Sequence, residues 1–414
     1  MKYRLLDILV CPYCGNNLRI DIFQMERNND YIDPLYVRCK DHCYYSSSSL
    51  ISNPQIIKVD KCKECYGTEI IDGLLICEDC NTSFPIIDSI PRMLSDILKD
   101  FPDFLKKYKD KLLESALEDI KRNLSKMMER TKKAFAYEWL NERLGFTGRA
   151  ETLIGFFAKT GVDPNLYKIN FSGYESDCPA EEIHYEPDGS FLKDKLILDV
   201  GCGMGRYMNI ANTYGGEVIG FDLSRAVEKA KKDTAHNPFS HVIQADIMSP
   251  PFKKQFFDFI YSIGVLHHTP NTKESFKRIV PLLKIGGTIS LCIYAKSHYP
   301  IKNLIERMFR KITTRLPLKV LFYLSYIGVP FGWMQSRLRK NPITFILGSP
   351  LFLLQGCEHW DWRIRHTNTF DFFVAPYQWR YTTEEVVKWF DEEAIDDIQI
   401  LSAEPICIKG VKKV

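Results

Sequence analysis

One stretch constrains the chain more than any other: residues 196–224, LILDVGCGMGRYMNIANTYGGEVIGFDLS. An apolar run enters a glycine-rich turn, a helix-forming segment follows, and a second apolar run ends on Asp222. Strand, tight turn, helix and strand form the unit that sets a ligand against a helix N-terminus at the carboxyl edge of a parallel sheet. Its glycines are Gly201, Gly203 and Gly205, a G-x-G-x-G. The dinucleotide fingerprint needs G-x-G-x-x-G, and a phosphate loop needs a closing G-K-[ST]; neither is present. Asp199, two residues before the first glycine, would repel a pyrophosphate but can anchor an ammonium. The pattern points to S-adenosylmethionine, with a zwitterionic methionine end and a cationic sulfonium. Asp222, ending the second strand, is placed to accept from both ribose hydroxyls.

Downstream segments follow in the order such a fold requires. HVIQADIMSPPF gives a third strand ending on Asp246, positioned for the adenine amino group. FDFIYSIGVLHHTPN is a fourth strand with its exit loop, and SFKRIVPLLKIGGTISLCIYA a helix, a Gly-Gly turn and a fifth strand. YTTEEVVKWFDEEA opens a helix on a capping box, Thr382 to Glu385, and DIQILSA and PICIKGV close the chain as two strands. Alternating strands and helices with a terminal hairpin predict an α/β fold with a mainly parallel, doubly wound sheet.

In this combination the segments resemble the class I S-adenosylmethionine-dependent methyltransferases, nearest the type-11 branch that includes ubiquinone/menaquinone C-methylases. The resemblance covers residues 196–295 and the end of the chain, and implies a Rossmann-like seven-stranded sheet. It places Asp199, Gly201, Cys202, Gly203 and Gly205 on the methionine-binding loop, and Asp222 and Leu223 at the ribose. Asp246 and Ile247 fall at the adenine, and Ser262 and Gly264 at the fourth-strand exit facing the donor methyl.

Eight of the 13 cysteines precede residue 81, in four close pairs: Cys11/Cys14, Cys39/Cys43, Cys62/Cys65 and Cys77/Cys80. Two such pairs complete a tetrahedral zinc site, and four sulfur ligands leave the metal no open position for chemistry. Two structural zinc ions are expected, with the pairs taken in sequence order; a crossed arrangement of Cys11/Cys14 with a later pair stays open. The N-terminus lacks the apolar core of a signal peptide, so metal ligation in a reducing, cytoplasmic setting is expected rather than a disulfide framework. LLDILVCPYCG with the later CNTSFPIIDSIPRML resembles the zinc-ribbon domain of the small activator subunit of eukaryotic tRNA and rRNA methyltransferases. That resemblance implies either a folded platform or a docking module.

The expected organisation is a zinc-ribbon domain of two four-cysteine modules over 1–98 and a helical connector and cofactor-covering region over 99–195. A methyltransferase domain over 196–414 follows, with a helical insertion at about 297–360. Residues 103–142 carry apolar positions at helical spacing. Within them, AFAYEWLNE is dense in aromatics, for core packing or for covering the cofactor. Residues 302–340 hold Lys302, Arg307, Arg310, Lys311, Arg315, Lys319, Arg337, Arg339 and Lys340 against Glu306 alone. Two uncharged runs, VLFYLSYIGVPFGWMQS and NPITFILGSPLFLLQGC, are interleaved, a composition suited to a buried helical subdomain or to peripheral membrane contact through 300–357.

Methyl transfer from a sulfonium needs alignment, and for a hydroxyl acceptor a base. His267, His268 and Tyr294 are the candidates near the strand exits, and Tyr377, Trp379 and Arg380 form a candidate acceptor-pocket wall. Overall charge, +3 from 55 Lys+Arg and 52 Asp+Glu, gives no global nucleic-acid signal. The fourth-strand exit reads SIGVLHH, without the N/D-P-P-Y/F tetrad of base N-methylases. The leading expectation is a methyltransferase acting on a small-molecule, glycan or lipid-linked acceptor. An RNA (tRNA or rRNA) methyltransferase docking through its zinc ribbon is one alternative, and a non-catalytic S-adenosylmethionine-binding scaffold another. The expected location is the cytoplasm, with membrane association where the insertion meets lipid.

Overall fold

The computed structural model describes residues 1–27, 39, 42–46, 48–49, 59–95, 97–112, 125–141, 156–163, 188–296, 300–339 and 361–413. Strand β1 (Arg19–Arg27) pairs antiparallel with β4 (Thr68–Cys77), β4 with β5 (Thr82–Ile87), and β5 with β6 (Ile90–Met93). A two-residue hairpin, β2 (His42–Cys43) with β3 (Ser48–Ser49), and helix α1 (Val59–Gly67) lie between β1 and β4 in the chain. The second half supplies β7 (Leu196–Val200), β8 (Glu217–Asp222), β9 (Ser240–Ala245), β10 (Phe257–Ile263), β11 (Leu283–Ile293), β12 (Ile395–Ala403) and β13 (Ile406–Lys412). Their order is β9-β8-β7-β10-β11-β13-β12, with β13 antiparallel to both neighbours. This is the expected seven-stranded, doubly wound arrangement.

The N-terminal strands extend this same sheet. β6 pairs parallel to β9, with Arg92 opposite Gln244 and Met93 opposite Ala245, giving 11 strands in one sheet. Leu5, Leu6, Ile8 and Leu9 share one core with Phe252, Phe256 and Phe257, so the two halves are joined by packing as well as by pairing. At that seam the buried Arg4 donates to Glu217 through Nε (3.1 Å) and also pairs with Asp7. Tyr66 Oη donates to the same Glu217 oxygen at 2.8 Å, and His241 Nε2 lies 3.2 Å from it.

Helical spacing over 103–142 resolves into separate pieces. Helix α2 (Pro102–Tyr108) is followed by a short 3-10 turn, and Leu112 turns extended (φ −79°, ψ 136°). Tyr108 and Leu112 bury against Leu74 and Ile76, which fixes the first piece on the zinc-ribbon sheet. A second helix, α3 (Lys126–Leu140), starts where the Ser125 side chain accepts from the Met128 amide.

Around the core sheet lie α4 (Arg206–Thr213), α5 (Val227–Asp233) and α6 (Thr272–Ile279). The insertion forms α7 (Pro300–Thr313), α8 (Leu318–Leu324) and α9 (Gly328–Arg339), followed by α10 (Trp362–Val374). Leu321 and Phe322 of α8 pack on Ala134 of α3 and on Phe370 and Val374 of α10. NPITFILGSPLFLLQGC lies outside the described residues. No described helix is long and apolar enough to cross a membrane. Helix α11 (Thr383–Glu392) opens on the expected capping box of Thr382 and Glu385.

The seam yields a stability prediction. Glu217→Ala leaves Arg4 buried with Asp7 as its remaining acid, and removing one partner of a buried ion pair costs about 3–5 kcal/mol. Urea unfolding should show a loss of that order, and Glu217→Gln, which keeps an oxygen acceptor for Arg4 and Tyr66, should lose less. A loss below about 1 kcal/mol in Glu217→Ala would remove the network from the account of the seam.

Candidate functional site

The glycine turn sits where β7 ends, and it needs glycine. Gly201, Gly203 and Gly205 have φ of +78°, +52° and +81°, backbone that side chains with a Cβ rarely adopt. A Cβ on Gly201 would stand 2.3 Å from Val265 Cγ1, so the turn also lacks space for a side chain. The turn leads into α4, with Gly205 as its N-cap.

Asp222 stands across the turn. Its Oδ2 accepts from the Gly203 amide at 3.1 Å, and its Oδ1 from the Ser224 amide (2.8 Å) and hydroxyl (2.7 Å). These donors fix the carboxylate while one edge stays open to a small cleft of about 60 Å³, lined by Gly201, Asp222, Leu223, Asp246, Ile247, Val265 and His268. Met128, Thr131 and Phe135 of α3 cover it from the other side. Among the described residues, two carboxylates and no Lys or Arg line this cleft. A pyrophosphate finds no countercharge there, whereas a cationic adenosine donor does.

Other expected donor residues sit elsewhere. The Asp199 carboxylate is buried below the turn and accepts from Tyr261 Oη at 3.0 Å; burial pushes its pKa up to about 7. Cys202 is buried in the core with Met208, and the Ser262 hydroxyl donates to the Val200 carbonyl at 3.1 Å. Gly264 has open space where a Cβ would be, with φ +76°. Of the sequence-selected set, Gly201, Asp222, Leu223, Asp246 and Ile247 converge on the cleft. Gly203 lies against Trp139 of α3, which places that ring beside the glycine turn.

The base candidates separate in the same way. His268 lines the cleft, with Nδ1 donating to the Tyr377 carbonyl at 2.8 Å, which leaves Nε2 as an acceptor. His267 lies behind it, wholly buried, its ring 3.9 Å from that of Tyr294 and neither nitrogen hydrogen-bonded. Burial lowers the pKa of both histidines, which favours neutral imidazoles. Tyr294 donates to Asp371 Oδ2 at 3.1 Å. Glu138 of α3 is buried nearby, and burial together with the Asp371 charge pushes its carboxyl well above the usual range.

A second cleft, of about 730 Å³, opens beside the first and shares Tyr377 with it. Its lining includes Lys296, Arg307, Arg310, Lys311 and Arg380 against Glu306, with Tyr377, Gln378 and Trp379. The segment 375–381 is held in place by backbone bonds from Trp379 to His267 (2.9 Å) and from Tyr381 to Tyr294 (3.2 Å). Tyr377, Trp379 and Arg380 thus line one cleft together, beside its basic residues.

The cysteines also group. Cys11, Cys14, Cys77 and Cys80 bring their sulfurs within 4.8 Å of one another, close to the spacing of a tetrahedral tetrathiolate site. This corrects the expected sequence-order pairing. β1 runs antiparallel to β4 with Arg19 opposite Ile76, and that register carries Cys14 to the end of β4, where Cys77 stands. Of the remaining four, Cys43 and Cys62 are in buried contact with Cys39 packed against them. Cys292 and Cys407, outside both groups, are disulfide-bonded across β11 and β13.

Seven strands in this order, a positive-φ glycine turn and an acidic, cation-free cleft define a class I S-adenosylmethionine-dependent methyltransferase. Comparison with known proteins agrees: residues 198–291 match the family described as a methyltransferase domain, and residues 2–89 match the Trm112p-like proteins. A tRNA U34 carboxymethyltransferase of Helicobacter acinonychis is 32% identical over 45% of this chain and 74% of its own length. The chain belongs to the S-adenosylmethionine-dependent methyltransferase family, with a Trm112p-like domain in front. An Arabidopsis thaliana tRNA (carboxymethyluridine(34)-5-O)-methyltransferase is 29% identical over 40% of this chain and 37% of its own. A Caenorhabditis elegans phosphoethanolamine N-methyltransferase is 26% identical over 34% of each. The chain thus spans about a third of the length of these two relatives. A solved complex of the Haloferax volcanii Trm112 activator with a methyltransferase aligns over 64% of this chain and 94% of that one, at 11% identity and a TM-score of 0.34.

The leading expectation about the acceptor is corrected by these findings. A small-molecule, glycan or lipid-linked acceptor gives way, because a Trm112p-like domain stands beside a methyltransferase domain related to named tRNA methyltransferases.

Gly201 gives the local test. Gly201→Ala should cost roughly 1–3 kcal/mol in thermal or urea unfolding, from its positive φ and the approach to Val265. Adding Val265→Ala should recover the steric share alone. Unfolding of Gly201→Ala indistinguishable from the parent would refute the crowding.

Proposed function

We propose that the chain is an S-adenosylmethionine-dependent RNA methyltransferase, with tRNA as its substrate class. The observation that carries this reading is the basic cleft joined to the donor cleft at Tyr377. The exposed Arg307 and Lys311 suit the phosphates of a polyanion, and Tyr377 and Trp379 offer aromatic faces for an unstacked base. Bound donor supplies an electrophilic methyl for in-line transfer. The protein's part is positioning: Asp222 holds the ribose hydroxyls, Asp246 and Ile247 the adenine, and α3 keeps water from the reacting atoms. His268, with Nε2 free to accept, is placed to take a proton where the acceptor carries one. The tRNA named for the relatives supports this substrate class, and thiolate metal ligands suit the reducing cytoplasm.

Incubation with methyl-labelled donor and total tRNA should transfer label to RNA and not to lipid or glycan extract. RNA affinity should fall with salt, and Arg307→Ala with Lys311→Ala should flatten the log–log slope by about 0.7 for each phosphate no longer neutralised. Label in the lipid fraction alone would overturn the reading.

The cysteines are assigned two structural zinc ions, one held by Cys11, Cys14, Cys77 and Cys80, the other by Cys39, Cys43, Cys62 and Cys65. The first grouping rests on the clustered sulfurs, the second on the contact of Cys43 and Cys62. Native mass spectrometry should find two zinc ions per chain, and one in Cys77→Ser. A parent chain with one zinc would remove the second site.

A further inference from the structure

We propose that Glu138, Asp371, Gln378 and Arg310 form the pocket that reads the edge of the acceptor base, an inference resting on the RNA reading above. Folded proteins leave few buried polar atoms unpaired, because each costs about 1–3 kcal/mol. Here several such atoms collect in one place. Glu138 Oε2, Asp371 Oδ1, Gln378 Oε1, Arg310 Nε and both His267 ring nitrogens are buried without a hydrogen-bond partner. They come from α3, α10, the segment after α10, α7 and the turn after β10, elements with no local reason to share a defect.

The cluster lies between the two clefts. Asp371 accepts from Tyr294 at the end of β11. The Tyr294 ring packs, tilted, at 3.9 Å from that of His267, whose neighbour His268 lines the donor cleft. Arg310 and Gln378 line the basic cleft on the other side. Arg310 and Gln378 thus connect the cluster to the basic cleft, and His267 connects it through His268 to the donor cleft.

Their chemistry selects the group. Three of the unpaired atoms are carboxyl or amide oxygens, and Arg310 Nε is a donor. A phosphate would meet the Asp371 carboxyl with Arg310 Nε as the one unpaired cationic donor, and an alkyl chain would leave every one of these atoms unpaired. A heterocyclic base presenting an imino or amino N–H beside a carbonyl oxygen matches both signs.

The test uses the full-length enzyme with RNA substrate and three variants: Glu138→Gln, Asp371→Asn and Gln378→Leu. Asp371→Asn can still accept from Tyr294 through its amide oxygen, but puts an amide N–H where Oδ1 stood. Expected is a fall of at least tenfold in kcat/KM for RNA, with donor Kd, Tm and the salt slope of RNA binding unchanged. Transfer to RNA within twofold of the parent enzyme in all three overturns the pocket. So does a parallel loss of Tm and donor affinity, which would mark a packing role. If the unsubstituted enzyme methylates no RNA, the RNA reading fails first and the pocket with it, a result distinct from active parent and active variants.

Discussion

Everything at the site depends on β6 lying beside β9. Arg92, wholly buried on β6, donates through Nη1 to Gln244 Oε1 at 2.8 Å, and Gln244 Nε2 donates to the Leu223 carbonyl at 2.9 Å. Leu223 follows Asp222, so a side chain from the N-terminal half of the sheet holds the turn that carries the Asp222 carboxylate. Burial lowers the Arg92 pKa only to about 10, so it stays charged; Glu228 at 3.3 Å and the Phe101 ring at 4.6 Å complete its surroundings. A guanidinium this deep is tolerated because Nη1 and Nη2 both find oxygen acceptors and the plane lies on an aromatic ring, although Nε has no acceptor among the described residues. The N-terminal module is thus part of the donor site's support, built from the same sheet.

Charge divides the work between the clefts. On the donor side are two carboxylates and no cation; on the acceptor side five cations face Glu306. Arg380 pairs with Glu306 at 3.0 Å and Lys296 with Glu385 at 2.7 Å, so Arg307 and Lys311, exposed on α7, are the ones best placed for an incoming polyanion. Under the proposed RNA reading, a cationic donor and an anionic acceptor are each drawn to the matching wall. The sum over the chain, +3, hides this separation, which is why composition pointed away from nucleic acid.

What was legible in the sequence was local. The glycine turn, the strand-ending Asp222 and Asp246, and the capping box at Thr382 follow from backbone geometry within a few residues. The cysteine pairs were legible as pairs but not as partners, because their grouping is set by the antiparallel register of β1 on β4 across a long insertion. The β6–β9 joint was invisible for a related reason: two backbone pairings between distant strands leave no periodic pattern. Asp199 reads as a cleft residue from its position, yet Tyr261 holds it below the turn. Glu138 hid inside an aromatic run. Its one signal is its place four residues after the buried Ala134, a carboxyl on the apolar stripe of α3.

Helix α3 ties these parts together. Ligand sites usually enclose about 300–1,000 Å³, whereas the donor cleft encloses about 60 Å³ under Met128, Thr131 and Phe135. Seating a donor there therefore requires those side chains to yield, and all three belong to α3. The same helix places Trp139 over Gly203 and carries Glu138 into the unpaired cluster. Helix α3 also packs through Ala134 on α8 and α10, the scaffold that bears Asp371. Room for the donor and the shape of the acceptor pocket are thus set by one helix, so occupancy of the first bears directly on the geometry of the second.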